Sequence, residues 1–328
     1  MVVHVLYVGM GEDWGNLTRG VGYEEPLFQR SLASLPGVSS ETFDYMALLA
    51  RRGRADMSKM LARRVRESRP DLLFLVLLDE ATAPSRETVR EITETTDTTT
   101  ALWVCDDPWQ FDEFSRHWAP CVDWIITTDE DTLPRYSALG RGSHTLLLQW
   151  GCHPDKCFDQ RPAAELDVSF VGQPHSDRRR LVQRLRDCGI RVSVFGHGWG
   201  EGSQRMDYGE MLSVFRRSKI NLNFGRSIRE SGLQIKARNF EVPGCGGFML
   251  SSATPHLDRY FVEGHEVVTF GDEDDLLEKV RYYLDHDDER LGIARRGWQR
   301  CVAEHSWRHR WCALLERTGL ERTGTARR

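Results

Sequence analysis

In the stretch DLLFLVLL at residues 71–78, an uninterrupted apolar run follows Asp71, and it indicates the fold class of the first half of the chain. No polar residue alternates with the apolar ones, which is typical of a parallel strand covered on both faces. Residues 54–69 before it and residues 84–96 after it have the spacing of helices. Further strands are predicted at residues 2–8, 100–105, 123–128 and 143–148. Alternation of strands and helices at this spacing predicts right-handed crossovers and a parallel sheet.

The same alternation returns in the second half of the chain. It follows residues 151–165, which contain Gly, two Pro and mixed charges without a hydrophobic period and are predicted to be a linker. Strands are predicted at residues 168–171, 191–195, 220–224, 247–250 and 267–270, and helices at 177–188, 208–217, 236–242 and from 274 onward. We therefore predict an α/β protein with a Rossmann-like domain at residues 1–150, a second at 166–304 and a tail at 305–328. Two doubly wound domains of this kind are expected to face each other across a cleft, where ligands bind.

Composition excludes several classes of protein. The 328 residues include 44 Lys and Arg and 49 Asp and Glu, a net charge of −5, which opposes a polybasic binder of nucleic acid or membranes. The longest apolar run, Leu72 to Leu78, is far shorter than the ~20 residues of a spanning helix, and the first residues do not resemble a secretory signal. We therefore expect a cytoplasmic protein. The eight cysteines form no CxxC pair, and Cys152 and Cys157, the one close pair, lack a second pair at zinc-finger spacing.

Two loops of the first half carry candidate ligand contacts. Gly9, Met10 and Gly11 follow the first strand, but Trp14 stands where a dinucleotide fingerprint needs its third glycine. We interpret this loop as a close backbone approach to an acceptor, with a flexible loop as the alternative. Asp106, Asp107 and Trp109 follow a later strand in the order DDPW. A carboxylate there suits a general base or hydroxyl binding, and the indole suits a sugar ring; the alternative is an Asx-type turn with Trp109 in the core.

The second half has candidate groups for a phosphate ligand. Gly172 ends a strand, and Arg178 opens the next helix, where backbone amides and a guanidinium make an anion site. Gly196, His197 and Gly198 follow the next strand. The densest stretch, residues 231–250, places Lys236, Arg238 and Glu241 together, which is a coherent set for a diphosphate and the hydroxyls of a ribose. An amphipathic helix with solvated charges remains the alternative for that stretch.

The same stretch carries a family resemblance. The run R-x-F-E-x-x-x-C-G-G-F-x-L is present as Arg238, Phe240, Glu241, Cys245, Gly246, Gly247, Phe248 and Leu250. It resembles the CgeB-like (spore-maturation protein B-like) glycosyltransferases. The order of the segments VSFVG and VSVFGHGW, and the closing segment HSWRHR with His305 and Arg310, agrees with that family over about residues 167–311. The first half resembles it mainly through DDPW.

This resemblance implies a GT-B fold with the nucleotide sugar bound mainly by the second domain, and chemistry without a bound metal. It implies that Glu241 holds the ribose, and that the phosphates meet Gly246, Gly247, Lys236, Arg238 and Arg178. Leu233 departs from the pattern, because related retaining enzymes often have a second glutamate at that position, and Glu230 is out of register. The resemblance also allows the tail to cross back to the first domain, with Trp298, Trp307 and Trp311 either as its anchors or as interdomain core.

The leading hypothesis is a metal-independent glycosyltransferase without a cofactor. It transfers a sugar from a nucleoside-diphosphate donor to a small-molecule, glycan or peptide acceptor in the N-terminal half. Asp106 or Asp107 activates the acceptor in this hypothesis, with Gly9, Met10, Gly11 and Trp109 as acceptor contacts. The alternatives are a non-catalytic nucleotide-sugar-binding protein, which Leu233 favours, and a nicotinamide-dependent oxidoreductase, which the broken glycine fingerprint opposes.

Overall fold

The computed structural model describes residues 2–154, 158–160, 162–200, 203–227, 229 and 232–320. Contacts divide the chain into two compact units. The first unit contains Met1–Gln149 and Trp307–Arg328, and the second contains Trp150–Ser306. The described residues do not include Cys157, Glu230 or residues 321–328.

The first unit is built on a six-stranded parallel sheet in the order β2-β1-β3-β4-β5-β6. Its strands are β1 (Val3–Gly9), β2 (Val38–Asp44), β3 (Leu72–Val76), β4 (Thr99–Val104), β5 (Trp124–Thr127) and β6 (Thr145–Leu147). The helices in its first segment, which ends at Gln149, are α1 (Arg30–Ala33), α2 (Tyr45–Ser68), α3 (Arg86–Thr95), α4 (Asp107–Gln110), α5 (Arg116–Trp118) and α6 (Leu133–Ala138). Single 3-10 or π turns lie at Asp13–Gly15, Leu17–Arg19, Glu25–Gln29, Phe111–Ser115, Ala119–Cys121, Glu130–Thr132 and Gly142–His144.

The second unit is built on a five-stranded parallel sheet in the order β11-β10-β9-β7-β8. Its strands are β7 (Leu166–Val171), β8 (Val192–Phe195), β9 (Ser218–Asn223), β10 (Met249–Ser252) and β11 (Val268–Phe270). Its helices are α7 (Arg178–Asp187), α8 (Tyr208–Arg217), α9 (Arg238–Gly244), α10 (Glu273–Asp285) and α11 (Asp287–Glu304), with 3-10 turns at Phe158–Gln160 and Leu257–Arg259. Among the described residues, no helix has the length and apolar character needed to cross a membrane.

The prediction of two doubly wound α/β sheets is confirmed, and one strand was missed. Strand β2 has the mostly polar sequence VSSETFD because it is the edge strand of its sheet, and most of its residues are partly exposed. Several boundaries in the second unit also differ from prediction; β7 begins at Leu166 rather than at 168, and β9 begins at Ser218 rather than at 220. Helix α9 begins at Arg238 rather than at Lys236, and β10 begins at Met249 rather than at Gly247.

Each sheet has one place where the connections leave in opposite directions. In the first unit it lies between β1 and β3, and in the second it lies between β7 and β9. At such a switch point the loops after the two strands separate and leave a crevice at the carboxyl edge of the sheet. This crevice is where a ligand is expected in each unit.

The last helix, α12 (Trp307–Arg317), completes the core of the first unit. Trp307 and Trp311 are buried and pack edge-on against Phe28, with ring centroids 4.9 Å and 6.2 Å away. The indole Nε1 of Trp311 donates a hydrogen bond of 2.7 Å to Ser31 Oγ. A segment that lies far along the sequence is therefore an integral part of the first unit.

Candidate functional site

The glycine loop after β1 is held by an acidic side chain of its own unit. The backbone amides of Gly11 and Glu12 each donate a 3.0 Å hydrogen bond to Asp44 Oδ2, and Asp44 Oδ1 accepts from the Ala47 amide at the start of α2. Met10 is buried. At Gly9, a Cβ would lie 2.0 Å from the Tyr7 hydroxyl, so any side chain there would displace the buried Tyr7 ring. The amides that would meet a dinucleotide phosphate in this loop are therefore occupied by a carboxylate.

The two carboxylates after β4 have different surroundings. Asp107 is fully buried; it accepts hydrogen bonds from the Tyr136 hydroxyl at 2.9 and 3.0 Å and from the Ser115 hydroxyl. Burial raises the pKa of Asp107 to about 6. Asp106 is partly exposed at the carboxyl edge, and its backbone oxygen accepts from the Trp109 amide at 3.1 Å. The burial of Asp107 gives it a structural role in this network and leaves Asp106 as the candidate for substrate contact; Trp109 is half-buried beside it.

The loops after β7 and β8 pack directly on each other in the second unit. Gly172 N donates to Phe195 O at 2.9 Å, and the indole Nε1 of Trp199 donates to Gly172 O at 2.7 Å. Gly196 has φ +112°, and a Cβ there would lie 2.9 Å from Gly172 O. Gly196 is therefore required by the close approach of the two loops, whereas a Cβ at Gly172 would lie 3.0 Å from the Phe170 ring of the preceding strand.

The next two candidates lie at the outer end of the β8 loop. His197 is exposed and has no hydrogen-bond partner among the described residues. Gly198 has φ +95°, a Cβ there would lie 3.2 Å from Pro174, and its carbonyl oxygen accepts from the Arg179 guanidinium. Gly198 thus shapes the loop, and the His197 imidazole is available to a ligand.

Arg178 occupies the switch point between β7 and β9. Its guanidinium donates to the carbonyl oxygens of Gln173 at 3.0 Å and Phe224 at 3.2 Å, so it joins the loops that follow the two strands. The side chain is buried, and its Nε has no hydrogen-bond partner in the described part of the chain. Burial and, secondly, the positive charge of Arg238 lower the pKa of Arg178 to about 10. The negative charge of Asp177 acts in the opposite direction on this pKa. Since Asp177 pairs with Arg226 and Glu241 pairs with Arg238, Arg178 is left without an ion pair among the described residues.

The cluster at the start of α9 adds one ion pair. Arg238 Nη1 lies 2.5 Å from Glu241 Oε2, and the side chain of Glu241 has no exposed surface. The Lys236 side chain is half-buried, and its backbone amide donates to Asn239 Oδ1 at 2.8 Å. In this structure Glu241 positions the Arg238 guanidinium, a different contact from the ribose hydroxyls that the resemblance implies.

Gly246 and Gly247 lie at the opposite edge of the second sheet. Both are buried and precede β10, whose parallel pairing with β9 places them at the amino ends of the strands. A Cβ at Gly247 would lie 2.9 Å from Asn221 Nδ2, and Gly246 has φ +78°. These observations correct the expected phosphate contact: the two glycines make the tight turn from α9 into β10.

The closing segment HSWRHR contributes to both units. His305 is buried and its Nε2 lies 2.9 Å from Tyr260 O in the second unit. Arg310 is buried in the first unit, where its Nε donates to Gln149 O at 2.9 Å. Leu233, at the position of the missing glutamate, is exposed.

Two functional contacts were missed from the sequence. Asp44 was missed because β2 was not predicted, although an Asp directly before an apolar-periodic segment indicates a helix N-cap. Arg226, which follows β9, forms an ion pair of 3.0 Å with Asp177 before α7. A cation three residues beyond the end of β9 was the available signal, but its partner comes from a distant part of the chain.

Comparisons with known proteins agree with this architecture. Residues 177–316 match the family model described as glycosyl transferase-like. No curated protein sequence matches the chain. The solved structure of Anabaena HepE in complex with UDP and glucose is 10% identical, covers 97% of this chain and 99% of its own, and has a TM-score of 0.63. Sucrose-phosphate synthase from Thermosynechococcus elongatus is 11% identical, with coverage of 96% and 98% and a TM-score of 0.61.

A third structural neighbour has a different activity. UDP-GlcNAc 2-epimerase from Neisseria meningitidis, solved with UDP-GlcNAc, is 10% identical, with coverage of 96% and 100% and a TM-score of 0.55. At these identities the likeness shows the fold alone, which is the predicted GT-B fold. Because an epimerase shares it, the fold alone does not identify the reaction.

Proposed function

We propose that the protein is a glycosyltransferase that moves a sugar from a nucleoside-diphosphate donor, bound by the second unit, to an acceptor bound by the first. The glycosyl transferase-like match lies mostly within the second unit, which supports a donor site there. The solved neighbours with UDP or UDP-sugars make UDP the first nucleotide to test. We also propose that the protein is a member of the CgeB-like glycosyltransferases, on the motifs quoted above.

The observation that carries the proposal is the buried Arg178. A guanidinium without a carboxylate partner, beside a second guanidinium and at a switch point, needs an anion to balance its charge. The first amides of α7 add a partial positive charge at the same edge. A diphosphate fits this set because its oxygens accept hydrogen bonds from guanidinium and amide groups together.

The proposed reaction is a direct transfer of the sugar from donor to acceptor. The acceptor oxygen forms a bond to the anomeric carbon of the sugar while the bond from that carbon to the diphosphate oxygen breaks, and the diphosphate leaves with the electron pair. Arg178 and Arg238 stabilise the added negative charge, with Glu241 holding Arg238 in place. Asp106 takes the acceptor proton in this proposal. The cations of the chain do the work that a bound metal does in other transferases, so we propose that no metal is required.

The test is ligand-induced stabilisation of the full chain by UDP, GDP, ADP, dTDP, CMP and NAD, with and without EDTA. A ligand at one hundred times its dissociation constant stabilises a protein by ~2.7 kcal/mol, which a melting curve resolves. We expect one diphosphate to raise the melting temperature equally with and without EDTA. Stabilisation by NAD alone, or loss of the effect in EDTA, contradicts the proposal.

A matched pair of variants locates the site. Arg178→Gln should abolish the shift, whereas Arg184→Gln, on the same helix but exposed and facing Asp274, should retain it. The melting temperature without nucleotide shows whether Arg178→Gln is folded. If both variants respond like the parent chain, the donor site lies elsewhere.

Asp106 is tested by transfer rather than by binding. Asp106→Asn should leave the nucleotide shift unchanged and slow sugar transfer by about 10²-fold or more, because the amide does not accept the acceptor proton. Normal transfer by this variant removes Asp106 from the mechanism.

A non-catalytic nucleotide-sugar-binding protein is the second candidate, and Leu233 is the observation that favours it. The exposed leucine replaces a carboxylate that related enzymes often carry near the donor. Nucleotide binding without hydrolysis or transfer of any donor sugar would select this candidate.

A further inference from the structure

The first unit has a polar cavity beside its edge strand, and Asp106 is not among the residues that line it. Helix α2 is broken at Gly53, which has φ +78° and ψ 164°. Residues from both sides of this break and from β2 line a half-open cavity of about 470 Å³. The cavity is large enough for a small ligand by volume.

Three polar groups of this cavity are unused within the protein. Glu12 Oε2 and Thr42 Oγ1 are buried atoms without a hydrogen-bond partner among the described residues. Arg51 is exposed and has no ion pair in the described part of the chain. Buried polar atoms are normally hydrogen-bonded, so an unpaired carboxylate oxygen and an unpaired hydroxyl together indicate a ligand with hydroxyl groups.

The other charged groups of the cavity are already committed. Asp44 accepts three backbone hydrogen bonds. Arg63 pairs with Glu67 at 2.7 Å, and Arg64 pairs with Glu41 at 2.9 Å. The remaining lining, which includes Phe43, Leu48 and Met60, is apolar. A ligand that offers hydroxyl groups together with an apolar C–H face matches this combination.

A strained aromatic residue lies two positions after Glu12. Trp14 is 55% exposed and has φ +54°, a conformation that is unfavourable for a residue with a Cβ. Its loop is fixed in place: Asp13 N donates to Gly20 O at 2.9 Å, and Gly15 packs so closely on α2 that a Cβ would lie 2.6 Å from the Met46 carbonyl carbon. The protein therefore holds an indole in solvent at a cost in backbone strain, and an indole face packs well on the C–H face of a sugar.

We propose that this cavity, with Trp14, binds a saccharide. Glu12 and Thr42 receive its hydroxyl groups, Arg51 donates to a ring or carboxylate oxygen, and Trp14 covers its apolar face. The assignment of this saccharide to the acceptor rests on the proposed function. The proposal that the cavity binds a saccharide does not depend on it.

The test is binding of the full-length protein to an array of immobilised glycans, followed by calorimetric titration with the best-bound oligosaccharide. We expect Thr42→Val, which keeps the shape of the side chain, and Arg51→Gln each to weaken binding by about tenfold. Arg52→Gln is the matched control, because Arg52 is the exposed neighbour of Arg51 and does not line the cavity. Trp14→Ala should weaken binding by a similar factor and tests the indole independently.

Two results overturn the inference: no immobilised glycan binds, or binding is unchanged in Thr42→Val, Arg51→Gln and Trp14→Ala. The same three variants should keep the full nucleotide-induced stabilisation, since all three positions belong to the first unit. Glycan binding in a protein that no nucleotide stabilises leaves the saccharide site in place and contradicts the proposed function. If the variants leave both nucleotide binding and sugar transfer unchanged, the proposed function is supported and this cavity is not the acceptor site.

Discussion

Neighbouring residues of one type acquire different chemistry from their surroundings, as Asp106 and Asp107 show. Asp107 opens the short helix α4 and points into the unit, where the hydroxyls of Tyr136 and Ser115 donate to it. Asp106 is the N-cap residue one position earlier and stays partly exposed. A single step along the backbone therefore separates a structural carboxylate from a candidate reactive one.

The buried Asp107 predicts a pH dependence of stability. Its pKa is about 6 in the folded chain and 3.8 in the reference state, so the folded state binds more protons between these values. This contribution to the free energy of unfolding is fully present below pH 3.8 and is lost as the pH rises through 6. Relative to Asp107→Asn, which does not titrate, the parent chain should lose about 2 kcal/mol between pH 4 and pH 7.

The measurement is urea denaturation of both proteins at intervals of one pH unit. The difference between the two free energies of unfolding is the quantity that reports Asp107, because the other titrating groups cancel. Parallel stability curves for the two proteins across this range would show that Asp107 is not a buried, proton-binding group.

At the scale of elements, the candidate donor site depends on loops that touch through their backbones. The β7 loop and the β8 loop meet at Gly172 and Gly196, and Arg178 joins the β7 loop to the segment after β9. Helix α7 begins at this same place. Any change that separates these loops should displace the anion-binding groups as well.

Gly196→Ala tests this dependence, with Gly189→Ala as its control. Both glycines have positive φ, +112° and +82°, so both substitutions strain the backbone, by about 1 kcal/mol. Only the Cβ at position 196 would also meet Gly172 O, whereas the space around position 189 is open. We expect Gly196→Ala to lose more stability than Gly189→Ala because of this added contact, and to lose nucleotide affinity, measured by calorimetry, where Gly189→Ala does not. Equal affinities would show that the loop contact does not shape the site.

Elements that are buried on both faces were predictable from the sequence, whereas elements that are partly buried and partly exposed to solvent were harder to predict. The run at residues 71–78 is buried on both faces, so its apolar sequence identifies β3. Strand β2 is half solvated and looks like a loop in sequence. Gly246 and Gly247 were assigned to the phosphates by resemblance, but only the register between β9 and β10 shows that they lie at the amino edge. The partner of Arg226 was unpredictable because Asp177 is 49 residues away along the chain.

At the scale of the whole molecule, the first unit is discontinuous in sequence. Its core residues Phe28 and Phe74 pack against Trp311, which follows the entire second unit in the chain. The hydrogen bond from Arg310 Nε to Gln149 O joins the two segments of the first unit that flank the second unit in the sequence. The second unit is therefore an insertion between two neighbouring points of the first.

This topology predicts that residues 1–149 do not reach full stability on their own. Joined through a few Gly and Ser residues to residues 307–320, they should unfold in one transition at a clearly higher temperature than residues 1–149 alone. In the joined chain, Trp311→Ala should remove about 3–5 kcal/mol of that stability, since it deletes a buried indole and leaves a cavity. Trp311→Phe should lose less, mainly the hydrogen bond to Ser31. If residues 1–149 alone melt at the same temperature as the joined chain, then α12 is a peripheral strap and not part of the core.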